Sequence, residues 1–117
     1  MHEASVVQSL FENADEIRRQ HGMRSVSLVR VRVGALQHIV NEVMQTYFDL
    51  RREDWPAFAQ ARLEIMRLPA VLRCLDCGHE TELDEPVFAC GQCCSRHTEL
   101  RSGMELDLMS LQGETDD

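Results

Sequence analysis

Four of the five cysteines fall in two pairs, Cys74-Leu-Asp-Cys77 and Cys90-Gly-Gln-Cys93, separated by twelve residues. Thiolates are soft donors, and two Cys-x-x-Cys turns closing one out-and-back excursion bring four of them around a single tetrahedral ion, for which zinc is the expectation. Gly78, directly after the first pair, is free to take the positive φ that turns backbone N–H groups toward the sulfurs. The matching position after the second pair is Cys94, whose Cβ penalises that conformation and whose thiol is an alternative to Cys93 as the fourth ligand. Cys90 and Cys93 are the favoured choice. A closed four-thiolate site leaves no coordination position for a substrate, so its expected role is structural. Two disulfides are the competing reading, disfavoured by the odd cysteine count and by the lack of any export signal.

A second donor set stands at the start of the chain, Met1-His2-Glu3. The α-amine of Met1, the amide nitrogen of residue 2 and Nδ1 of His2 can close a five- and then a six-membered chelate ring of planar nitrogen donors. That geometry suits Ni(II) or Cu(II) rather than zinc, which has no preference for a plane. Taken alone, a histidine near a terminus is more often a frayed polar side chain than a ligand.

These donors need elements to position them. Val7, Leu10, Phe11, Ala14 and Ile17 recur at three- and four-residue steps and predict a helix from about Ala4 to Gln20, ended by Gly22. From Arg24 the period changes to two, with Val29, Val31 and Val33 on one face and Arg30 and Arg32 on the other, which predicts a strand closing at Gly34. Ile39, Val40, Val43, Met44, Tyr47 and Phe48 predict a second helix, with His38 helping to start it. Residues 51–60, broken by Pro56 and holding the only tryptophan, read as a charged loop. Leu63 and Ile65 predict a second strand that Pro69 ends, and Met104, Leu106 and Leu108 a third one after Gly103. Between them, Glu80–Leu83 and Val87–Ala89 are expected to be the arms of a small ribbon. The fold class is α+β: a small three-stranded sheet packed by two helices, with an inserted zinc-ribbon lobe. The expected domains are residues 1–70 plus 103–112, a ribbon at 71–102, and a disordered acidic tail at 113–117.

Composition narrows the function. The chain of 117 residues carries a formal charge of −8 and no lysine. Residues 1–60 hold seven arginines against eight acids and residues 61–117 five against twelve, so the ribbon half is the acidic half. Four thiolates on one Zn²⁺ add a formal charge of about −2 there, which repels phosphate backbones and argues against nucleic-acid binding. No apolar run approaches a membrane span and no signal peptide is evident, which points to a reducing cytoplasm. The ribbon is poor in large apolar residues, so metal must stand in for the missing core.

Met1-His2-Glu3 opening an amphipathic helix, a strand ending Gly34-Ala35-Leu36, the paired Cys-x-x-Cys late in the chain, and Gly103-Met104-Glu105-Leu106 opening a final strand together resemble the HypA/HybF family over essentially the whole sequence. The resemblance implies a nickel metallochaperone for [NiFe]-hydrogenase maturation. Its implied nickel ligands are the Met1 amine, the His2 imidazole and main-chain nitrogens near Glu3, and its implied zinc ligands are Cys74, Cys77, Cys90 and Cys93. It also implies a HypB-type GTPase and the hydrogenase large-subunit precursor as partners; some members serve urease as well, which extends the partners to urease maturation proteins. The family pattern has a glycine or small polar residue where this chain has Cys94.

His79 and His97 flank the ribbon and read as solvated side chains, with reach toward nickel or pH sensing as the sharper alternative, while His21 is expected to satisfy the end of the first helix. No nucleophile–base pair, phosphate loop or substrate pocket can be argued, so an enzyme is not expected. The competing functions are a zinc-ribbon adaptor or nucleic-acid-binding protein, and a redox switch in which oxidation ejects zinc.

Overall fold

The computed structural model describes residues 2–115 of the chain. In order the elements are α1 (Glu3–Gln20), β1 (Met23–Gly34), a 3₁₀ turn (Ala35–Gln37), α2 (Asn41–Arg51), 3₁₀ turns at Arg52–Asp54 and Pro56–Phe58, β2 (Arg62–Leu68), β3 (Ala70–Cys74), β4 (Glu80–Leu83), β5 (Thr98–Ser102) and β6 (Leu106–Thr115). They form an α+β fold with two three-stranded sheets, ordered β2-β1-β6 and β4-β3-β5. Contacts divide the chain into two compact units. One comprises Met1–Arg32, Ile39–Met66 and Asp107–Asp117, the other Val33–His38 and Arg67–Leu106.

In the first unit the apolar stripe of α1 buries Val6, Val7, Leu10, Phe11 and Ala14. The helix ends as its sequence dictates: the His21 N–H donates to the Ile17 carbonyl at 3.1 Å, and Gly22 turns the chain at φ +66°. Phe11 is the hub of the core. Its ring stacks on Phe48 of α2 at 4.8 Å, lies parallel to Trp55 at 5.7 Å, and meets Phe58 edge-on at 5.5 Å. The segment read as a charged loop thus supplies two of the four rings, and its 3₁₀ turn starts at Pro56, which is preset for the first helical position. Replacing Phe11 with alanine removes every ring contact of the hub and should lower unfolding stability by about 3–5 kcal/mol. A denaturant midpoint shift worth under about 1 kcal/mol would show that the cluster repacks.

Helix α2 begins at Asn41 with Val40 as its cap, so His38 does not start it as expected. His38 instead closes the preceding 3₁₀ turn in a left-handed conformation, φ +56°. Val40 and Val43 are exposed, and only Met44 and Phe48 of the helix are buried. On the first sheet, Arg24 pairs with Glu114 at 2.6 Å, Arg32 pairs in bidentate fashion with Asp107 at 2.8 and 2.6 Å, and Arg30 pairs with Glu64 at 3.1 Å. The first two pairs run in opposite chain directions, so β1 and β6 are antiparallel. Hydrogen bonds from Arg32 hold the Asp107 carboxyl below the usual carboxylate range. These pairs are about half exposed and each contributes about 1 kcal/mol or less. Residues 113–115, expected to be disordered, are the end of β6. Gly113 permits this because a Cβ there would strike the Ser25 carbonyl on β1.

The second unit departs further from expectation. Val87–Ala89 is not a ribbon arm; it runs through tight turns, with Val87 donating to the Glu85 carbonyl and Ala89 to the Val87 carbonyl. The partners of β3 are β4 and β5, both antiparallel, with Arg73 in register with Glu80 on one side and Glu99 on the other. Val87 and Phe88 are exposed, and the buried residues of this sheet are Ala70, Leu72 and Cys74. So small an apolar core leaves the cysteine centre as the remaining cohesive element. At the base of the sheet Gly103, φ +124°, cannot be replaced without strain, because a Cβ would stand 2.8 Å from the Ala70 Cα.

Candidate metal centre

The ladder of β3 ends at Cys74, which delivers the first sulfur. A tight turn follows in which the Gly78 N–H donates to the Cys74 carbonyl at 2.9 Å and the Cys74 N–H to the His79 carbonyl at 2.9 Å. The second pair repeats this pattern bond for bond. The Cys94 N–H donates to the Cys90 carbonyl at 3.0 Å and the Cys90 N–H to the Ser95 carbonyl at 2.8 Å. In both knuckles the amide of the second cysteine faces the sulfur of the first, with Cys77 N to Cys74 Sγ and Cys93 N to Cys90 Sγ each at 3.4 Å. The Gln92 N–H adds a third such bond to Cys90, at 3.3 Å. Gly78 has φ +79° and Cys94 φ +63°.

The equivalence settles which sulfurs converge. The Sγ atoms of Cys74, Cys77, Cys90 and Cys93 all lie within 4.8 Å of one another, with Cys74–Cys93 and Cys77–Cys90 at 3.6 Å. Cys94 occupies the turn position of its knuckle and is not among them. Being non-glycine it bears the cost of a left-handed backbone, about 1–2 kcal/mol. Cys94→Gly should therefore raise the stability of the metal-loaded protein by about 1 kcal/mol, read as a higher thermal midpoint. An unchanged or lower midpoint would show that the strain is relieved some other way.

The sulfurs fit a tetrahedral ion. A metal–sulfur bond of about 2.3 Å places tetrahedral ligands about 3.8 Å apart, close to the separations found. Electrostatics agree. The Cys93 and Gln92 amides pull the Cys90 thiol down to about 6, and the Cys77 amide likewise lowers Cys74. The second thiol of each pair goes the other way. At Cys93 the Ser95 amide opposes the shift, but Cys74, Cys77, burial and Cys90 together push it up to about 12; Cys77 is also raised, despite the favourable His79 amide. Amide dipoles thus favour the thiolates of Cys74 and Cys90, while Cys77 and Cys93 are shifted the other way, a difference that a bound cation would offset. Cys74 and Cys90 are buried whereas Cys77 and Cys93 are exposed, so the centre is open on one edge.

Sequence reasoning named His97 near that edge but missed the two residues it meets there, Asp76 and Ser95. The Asp76 carboxylate, between the two cysteines of the first knuckle, accepts a hydrogen bond from the Ser95 hydroxyl of the second. It also lies 3.1 Å from Nδ1 of His97. Ser95 and then His97 hold the Asp76 carboxyl below its ordinary range. Asp76 occupies a variable position of the motif, so nothing in its spacing marked it. His79 contributes its backbone only to the bonds described.

At the other end of the chain, Met1 lies outside the described residues. His2 is the exposed N-cap of α1; its carbonyl accepts from the Val6 N–H at 3.1 Å and its side chain makes no capping hydrogen bond. The Glu3 carboxylate accepts from the Val40 N–H at 3.0 Å at the start of α2, and this bond, with that to its own amide, keeps it ionised below the usual range. Among the described residues, no helix is long and apolar enough to cross a membrane.

A small α+β protein with a four-cysteine metal-binding lobe and a histidine ahead of its first helix falls within the metal-handling class. Residues 1–113 match the family described as "Hydrogenase/urease nickel incorporation, metallochaperone, hypA". The chain belongs to this HypA family, and its role is to handle metal rather than to catalyse a reaction. It is similar to the hydrogenase maturation factor HypA of Aquifex aeolicus, at 34% identity over 99% of this chain and 100% of the relative, and to that of Shewanella oneidensis, at 32% over 97% and 96%. Among solved structures it resembles the solution structure of the Ni metallochaperone HypA from Helicobacter pylori. That match has TM-score 0.73 and 26% identity, and covers 99% of this chain and 100% of the other.

Proposed function

We propose that the protein binds Ni(II) at its N-terminal segment and delivers it for [NiFe]-hydrogenase maturation, while zinc in the cysteine centre holds the second lobe folded. The observation that carries this reading is His2: an exposed imidazole with no capping bond, directly ahead of α1, in a chain of a nickel-incorporation family. The nickel donors are the Met1 amine, the residue 2 amide, the His2 imidazole and a main-chain nitrogen at Glu3. One oxygen of the Glu3 carboxylate accepts from the Val40 N–H, and a carboxylate is a harder donor than a main-chain nitrogen, which favours the main chain at that residue. An exposed site suits a carrier, because an acceptor's ligands must replace the donor's one at a time. A closed thiolate cage would retain the ion, and that is the behaviour wanted of the zinc. We assign residues 1–70 plus 103–112 to the nickel-binding domain and 71–102 to the zinc ribbon, although residues 33–38, 67–70 and 103–106 belong to the compact unit that holds the ribbon. The implied partners are a HypB-type GTPase and the hydrogenase large-subunit precursor, with urease maturation proteins as a second client route, in the cytoplasm.

The test is an extension. Adding residues ahead of Met1 converts its amine to an amide, which is a poorer donor at neutral pH, so nickel affinity measured by calorimetry should fall by at least about 10-fold while zinc stays at one per chain. Equal nickel affinity with and without the extension would remove the amine from the ligand set.

A further inference from the structure

The Asp76, Ser95 and His97 cluster has a geometry that the metal-delivery reading does not use. Asp76 belongs to the first knuckle, between two ligands. Ser95 belongs to the second, two residues after Cys93, and its carbonyl accepts the Cys90 N–H. The Ser95 hydroxyl is fixed from both sides: it donates to the Asp76 carboxylate and accepts from the His97 N–H at 3.1 Å. The His97 ring adds a contact to the other carboxylate oxygen, and the His97 carbonyl accepts the Leu75 N–H at 2.8 Å. One carboxylate therefore fastens the turn carrying Cys74 and Cys77 to the segment that closes the turn of Cys90 and Cys93.

We propose that Asp76 is a positioning residue, a clasp that joins the two knuckles and sets how fast the metal of the cysteine centre exchanges. The proposal rests on the reading that this centre holds zinc. Removing a tetrahedral ion requires thiolates to detach one at a time, and the accessible ones are Cys77 and Cys93, on the exposed edge. For either to swing away, the two knuckles must part. The clasp resists that motion, since Asp76 precedes Cys77 directly and Ser95 follows Cys93 by two residues. Outer partners of metal ligands matter on this scale: losing one typically costs about 10–100-fold in affinity, and here the loss falls on the dissociation rate because the four sulfurs themselves are untouched.

The experiment follows zinc transfer from the zinc-loaded full chain to excess 4-(2-pyridylazo)resorcinol, after zinc has been counted in the unaltered protein. Asp76→Ala should release zinc about tenfold faster or more, Ser95→Ala should also be faster, and Asp76→Asn, which keeps an acceptor oxygen in place, should recover most of the slow rate. Because Asp76 and Ser95 share the bond that joins the knuckles, the double variant should release little faster than Asp76→Ala. Ser102→Ala controls for general loosening. Its hydroxyl bonds the Pro69 carbonyl at the far end of the same sheet, and its release rate should match the unaltered protein. Should Asp76→Ala hold no zinc, Ser95→Ala, which leaves the carboxylate in place, carries the comparison. Wild-type rates in both single variants, equal acceleration by Ser102→Ala, or multiplicative effects in the double variant would each overturn the clasp. An unaltered protein without zinc would overturn the zinc reading, and the clasp with it.

Discussion

Cys74→Ala is expected to abolish zinc binding and to unfold the second lobe while leaving the aromatic core of the first unit intact. The size of the effect follows from what little else holds that lobe. Its sheet buries Ala70, Leu72 and Cys74, and the large apolar side chains Leu75, Val87 and Phe88 are exposed. A core that small cannot offset the entropy of ordering some thirty residues, at about 1–2 kcal/mol each for the backbone. Structural zinc contributes about 10–16 kcal/mol of apparent folding free energy in small modules, enough to decide the outcome. Removing Cys74 also leaves three sulfurs where a tetrahedral ion takes four. The Phe11, Phe48, Trp55 and Phe58 cluster draws all its rings from residues 11–58 and should persist. Zinc stoichiometry and amide hydrogen exchange of residues 70–102 measure the result. Protected amides in that span without zinc would show that the sheet suffices alone.

His2→Ala should have the opposite profile: nickel affinity lost, zinc and fold retained. The side chain is exposed and makes no capping bond, so its truncation removes no packing and should change stability by less than about 0.5 kcal/mol. It does remove the imidazole that closes the six-membered ring of the proposed chelate. Glu3 cannot replace it. Its carboxylate is bound to the Val40 N–H and is a harder donor that suits Ni(II) less well. Since loss of an outer-shell partner alone costs about 10–100-fold, loss of a direct donor should cost more than about 100-fold. Nickel affinity by calorimetry, zinc content, thermal midpoint and hydrogenase maturation in a complemented deletion strain give the full pattern. Undiminished nickel affinity with full maturation would sink the assignment through His2, and loss of zinc as well would show that the two sites depend on one another.

What the sequence determined by itself was whatever is encoded within a few residues. The 3.6-residue stripe of Val7, Leu10, Phe11 and Ala14 and the alternation of Val29, Val31 and Val33 announced α1 and β1, because burial selects apolar residues at the period of the element. Each Cys-x-x-Cys turn announced a pair of neighbouring sulfurs, because ligands that share a turn need no long-range information to approach one another. Tertiary structure decided the rest. Glu80–Leu83 proved to be the strand β4, as expected, but it pairs with β3, whose other partner is β5 rather than Val87–Ala89, since which strands pair depends on partners twenty-four or more residues apart, as Cys74 and Thr98 are. Trp55 and Phe58 entered the core from a segment without periodicity, because ring packing rewards shape at a distance. Cys93 rather than Cys94 joined the sulfurs, because the second knuckle repeats the hydrogen bonds of the first and places Cys94 where Gly78 stands, at a backbone conformation that no local preference of cysteine would have selected. Asp76, Ser95 and His97 met only when the two knuckles closed on each other, and a contact across nineteen or twenty-one residues leaves no mark in the spacing of the residues that make it.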